Sequence, residues 1–121
     1  MAKKRAAAAK AFDVHVFLAT ASARDSVAAG CPTGERHSLL IFCRQLEGEP
    51  PDERLARKGA STAGWREIRL ERAKRLPVTA VPQDPVLRAA FQEALRDGVS
   101  VVAHRRSEDR PAAVAHAALR R

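Results

Sequence analysis

The chain has no tyrosine, and its aromatics, Phe12, Phe17, Phe42, Trp65 and Phe91, make up only 4% of 121 residues. Most of them fall at core positions of the hydrophobic pattern, so the platforms on which single-stranded nucleic acids stack their bases are missing. Cysteine is nearly absent as well. Cys31 and Cys43 are too few and too far apart for a disulfide framework or a paired metal knuckle, and reduced thiols are expected. No run of about 18 apolar residues exists to span a membrane. The basic N-terminal stretch is followed by an alternating segment containing Asp13 and His15 where a secretory signal would carry a continuous apolar region. A cytoplasmic protein with no membrane partner is expected.

Catalytic motifs are equally scarce. The chain contains no glycine-rich phosphate cradle, no nucleophile elbow around a serine and no pair of histidines on one helix face. His15, Cys31, His37, Cys43 and His104 are the candidate soft-metal ligands in the patterned region. None lies two to four residues from another, as a tight ligand-bearing turn requires, so no metal is expected and Cys43 reads as a small core hydrophobe. Cys31-Pro32-Thr33-Gly34-Glu35-Arg36 places a thiol in a turn near an arginine, one residue short of the spacing a phosphate-wrapping nucleophile loop needs. Glu67 and Glu71, separated by Arg69, suit solvated cross-strand pairing better than acid/base chemistry. No catalytic residue and no cofactor is assigned, and the reading leans away from an enzyme.

What the chain does have is positive charge, and its placement is uneven. Of a net charge of +8, Lys3, Lys4, Arg5 and Lys10 contribute +4, the segment after residue 104 contributes +3, and residues 11 to 104 sum to only +1. The excess therefore belongs to the two ends: a basic Ala/Lys arm over 1–11 and an Ala/Arg-rich tail over 107–121, flanking one domain over 12–106. Within that domain Arg66, Arg69, Arg72, Lys74 and Arg75 form a second cationic concentration, and Arg105 and Arg106 follow its last strand. Lys and Arg so arranged neutralise phosphates without reading bases.

The hydrophobic periods outline the domain. Phe12, Val14, Val16 and Leu18 alternate with Asp13 and His15 as in a half-buried strand, leaving Phe17 off the main parity. Residues 19 to 37 read as a loop containing a possible helical turn, and Ser38 to Cys43 as a strand buried on both faces. Asp52 caps a helix whose small residues Leu55, Ala56, Gly59, Ala60 and Ala63 recur at helical spacing, and Gly64 suits the left-handed position beyond it. Trp65 to Arg72 reads as a strand, with a helix as the rival; as a strand it places Arg66, Ile68, Leu70 and Arg72 on one side and Trp65, Glu67, Arg69 and Glu71 on the other. Asp84 and Pro85 open a helix lined by Leu87, Ala90, Phe91, Ala94 and Leu95, Gly98 closes it, and Val99 to His104 is a strand.

The expected fold is α+β: a small, mostly antiparallel sheet in β-β-α-β-α-β order with both helices on one face. The alternative is a small bent Sm-like or OB-like barrel with an added helix, which requires a strand at Val78 to Val81. A domain of roughly 95 residues buries only about 60 to 70% of its unfolded surface. A homodimer is therefore expected, with Trp65, Leu87 and Phe91 as interface candidates. The expected function is non-enzymatic association with RNA or DNA through backbone contacts of low sequence specificity. The alternative is a homo-oligomeric interaction or scaffold domain that binds no nucleic acid.

Overall fold

A computed structural model of the chain describes residues 11–104, which form a small α+β domain with a four-stranded antiparallel sheet and three helices. The chain runs through β1 (Phe12–Ala23), a one-turn helix α1 (Ser26–Ala29), β2 (Arg36–Leu46), α2 (Glu53–Thr62), β3 (Trp65–Pro77), α3 (Pro85–Asp97) and β4 (Val99–Ala103). The strand order is β3-β1-β2-β4, with each neighbouring pair antiparallel. Among the described residues no helix is long and apolar enough to cross a membrane.

The helices lie on opposite faces of the sheet, which corrects the expectation that both cover one face. Odd-numbered residues of the two central strands, Phe17, Ala19, Ala21 and Ala23 with Leu39, Ile41 and Cys43, join Ala56 and Ala60 of α2 in one core. Even-numbered Val14, Val16, Leu18, Leu40 and Phe42 join Ala90, Phe91 and Ala94 of α3 in the other. The physical reason is that the centre of the sheet is apolar on both faces, and a face left uncovered would keep that surface in water at roughly 25 cal/mol per Å². Phe17, off the main parity of β1, is 2% exposed because it belongs to the α2-side core.

The central strands also run further than their hydrophobic pattern suggests. Ala19 to Ala23 continue β1 because β2 and β3 flank that stretch, and Ala21 and Ala23 are fully buried. Residues 78 and 79 form a turn, so the barrel alternative lacks its fifth strand. Side-chain caps start the longer helices: Asp52 accepts from the Leu55 N–H, and Asp84 from those of Val86 and Leu87, with Pro85 at the first turn. Gly59, in the interior of α2, costs helix propensity, but it lets the helix approach β4: a Cβ there would collide with Val99 Cγ1.

The α2-side face carries a buried polar group at its β1 start. Asp13 and His15 are 1% and 2% exposed; Arg75 donates to Asp13 Oδ1 at 3.2 Å, while Asp13 Oδ2 and both His15 ring nitrogens have no hydrogen-bond partner among the described residues. Opposite His15 on β2, burial pushes the Cys43 thiol up to about 12, Asp52 adding to the effect, so it stays protonated and inert. Burial pulls the His15 imidazole below its ordinary 6.5; Asp13 opposes this, Arg75 reinforces it and Glu49 opposes it. The unfolded chain therefore takes up a proton near pH 6.5 that the folded chain resists. Stability from the neutral ring is complete above that pH and is lost as pH falls. Urea unfolding between about pH 7.5 and about pH 5.5 should show the decline, and His15→Leu should reduce it. An unchanged pH dependence in the variant would contradict this assignment.

Candidate nucleic-acid interface

β3 is an edge strand, and its pairing with β1 decides where its cations point. In a regular strand Arg66 and Arg69, three residues apart, would face opposite ways. The register instead pairs Arg66 with Ser22, Arg69 with Thr20, Arg72 with Leu18 and Lys74 with Val16, with irregularities between Leu18 and Ala19 and between Thr20 and Ser22. Each irregularity adds a residue to β3, one at Glu71 and one at Glu67–Ile68, as β-bulges do. Glu67 has φ 53, the only positive φ at a non-glycine among the described residues.

The partners Ser22, Thr20, Leu18 and Val16 all belong to the even-numbered face of β1. The four cations therefore share the α3 side of the sheet, stepping about 6.7 Å per two-residue strand repeat. Trp65, Ile68 and Leu70 turn the other way, into the α2-side core. This corrects the expected division of β3, which placed Ile68 and Leu70 with Arg66 and Arg72, and Arg69 with Trp65; the bulges reset the alternation twice.

Arg36, at the start of β2, ties this end of the sheet together across β1. Its guanidinium donates to Thr20 Oγ1 at 3.1 Å, Ser22 Oγ at 3.2 Å and the Glu67 carbonyl at 3.0 Å, and lies 4.0 Å from Glu67 Oε1. Ser22 in turn donates to Glu67 Oε1 at 3.2 Å. Glu67 is thus tethered to Arg36 and Ser22 while its side chain stays exposed, as are Arg66, Arg69 and Arg72, and Lys74 is half-buried. Arg36, Thr20 and Ser22 are absent from the sequence-derived candidates; the signal for them is the alternation of Arg36 and Ser38 leading into the apolar run of β2.

The other candidates are placed differently. Arg75 faces the α2 side and pairs with Asp13, so it does not join the row. Trp65 and Phe91 are 2% and 0% exposed in the two cores of this one chain, which corrects their expected placement at an interface. Leu87 is half-buried and lines a cavity beside β3. Lys3, Lys4, Arg5, Lys10, Arg105 and Arg106 lie outside the described residues. Among the described residues no group of three His, Cys, Asp or Glu could hold a metal ion. Cys31 is 7% exposed within the α2-side core.

Comparison with protein families, curated proteins and solved structures returns no match. Chemically, the row offers fixed positive charge on one side of a rigid edge, with hydroxyls of Thr20 and Ser22 behind it. Such an array suits an extended polyanion.

Proposed function

We propose that the protein is a non-enzymatic nucleic-acid-associated protein that contacts the phosphate backbone with little sequence preference. The observation that supports this reading is the gathering of Arg66, Arg69, Arg72 and Lys74 onto one face of β3 by two bulges. Their spacing is close to the phosphate step of an extended nucleic-acid strand, so successive cations can meet successive phosphates. The basic ends, Lys3, Lys4, Arg5 and Lys10 before the domain and Arg105 and Arg106 after it, add charge to the same interaction.

Charges along an edge strand also guard it against pairing with another chain. That protection needs charge of either sign on either face, whereas phosphate contact needs cations turned one way. Charge reversal separates the two roles. The combined variant Arg66→Glu, Arg69→Glu, Arg72→Glu should remain monodisperse yet lose binding to a short labelled single-stranded RNA, measured by fluorescence anisotropy. The neutral Arg66→Gln, Arg69→Gln, Arg72→Gln variant should flatten the slope of log K against log salt by about 0.7 for each contact removed. An unaltered slope would remove the β3 row from the interaction. Unaltered affinity after trimming both residues 1–10 and 106–121 would remove the ends.

A further inference from the structure

The face that carries the cationic row also contains a cavity. α3 packs chiefly over β2 and β4, so the β1–β3 half of the same face is roofed by the segment between β3 and α3. Beneath that roof lies a space of about 400 Å³ walled by Val16, Leu40, Phe42, Leu76, Leu87 and Val81. Its size and apolar lining are those of a small-molecule site. Val81 is 44% exposed, so the apolar wall reaches the surface and the cavity has an entrance.

Two charged groups line it. Asp84 lies at the α3 end, where its Oδ1 accepts the N–H groups of Val86 and Leu87 at 2.9 and 3.2 Å and caps the helix. Lys74 lies in the sheet wall, with Arg72 one repeat further along the same face. An apolar chamber with Lys74 among its lining residues and Arg72 beyond it is complementary to a molecule with a hydrocarbon body and one anionic end.

We propose that this cavity binds a medium-chain amphipathic carboxylate, its hydrocarbon against Val16, Phe42, Leu76 and Leu87 and its carboxylate at Lys74. The proposal is independent of phosphate contact by the β3 row, although Lys74 belongs to both. The probes are decanoate and decyltrimethylammonium, which share a chain and differ in the sign of the head group, titrated calorimetrically into the full chain. Decanoate should bind saturably and at least about tenfold more tightly, the worth of one charge-assisted hydrogen bond. Lys74→Gln should remove that preference and Lys74→Arg should keep it. Ala80→Trp, at an exposed position in the wall, and Leu87→Trp should each fill the chamber and abolish binding, Ala80→Trp leaving thermal unfolding nearly unchanged. Equal affinity for the two head groups, a preference that survives Lys74→Gln, binding undiminished by Ala80→Trp, or no saturable binding of decanoate would each overturn the proposal.

Discussion

Trp65→Ala is expected to lower the free energy of unfolding by about 3 to 5 kcal/mol, the range for deleting a large buried aromatic side chain. Trp65 opens β3 opposite Ala23, is 2% exposed, and meets the His37 ring edge-on with centroids 5.9 Å apart. Much of the surrounding core is alanine, including Ala19, Ala21, Ala23, Ala56 and Ala60. Side chains that small cannot swing in to fill the space an indole leaves, so the cavity term should stay near its full size. A domain of this length has only about 5 to 15 kcal/mol of stability in total, so the variant should sit near the unfolding threshold. Trp65 is the sole tryptophan in a chain without tyrosine, so urea unfolding has to be followed by circular dichroism. A loss below about 1 kcal/mol would contradict the core assignment. An interface residue would instead change the sedimentation coefficient while leaving single-chain unfolding nearly intact.

Gly64→Ala should cost about 2 to 5 kcal/mol from two separate sources. Gly64 has φ +99, a backbone conformation that side chains resist by about 1 to 2 kcal/mol. A Cβ there would also come within 2.9 Å of Ala28 Cβ and 3.1 Å of the Asp25 carbonyl oxygen, and overpacking of this kind costs about 1 to 3 kcal/mol. Relief is difficult because the Gly64 carbonyl accepts the N–H groups of Arg24 and Asp25 at 2.7 and 3.1 Å, fastening the end of β1 to the start of β3. Gly30→Ala is the control: φ is +73, yet no atom lies within 4 Å of the added carbon, so only the conformational cost of about 1 to 2 kcal/mol applies. Equal losses in the two variants, compared by urea midpoint, would show that the collision is absorbed by small shifts.

Several elements of this fold are legible in the residues because the forces that make them are local. The N-cap Asp84, Pro85 in the first turn and Gly98 beyond the end delimit α3 without reference to the rest of the chain. Alternation marks the first half of β1, and the apolar run from Leu39 marks a strand covered on both sides. The second half of β1 escapes such a reading because Ala19, Ala21 and Ala23 carry little hydrophobic signal, and their burial comes from the strands and helix that enclose them. The cationic stretch of β3 is visible in composition, but its one-sidedness is not.

That contrast separates what the amino-acid order determined from what the tertiary structure decided. Capping, turn formation and short hydrophobic periods act over a few residues, so the two longer helices, the apolar parts of the central strands and the location of positive charge along the chain follow from the sequence. The facing of Arg66, Arg69, Arg72 and Lys74 depends on how β3 registers against β1, fifty or so residues away in the chain. The placement of α2 and α3 on opposite faces, and the cavity beside Lys74, depend on which apolar surface each helix can reach once the sheet exists. These are long-range packing choices, made only when the strands come together.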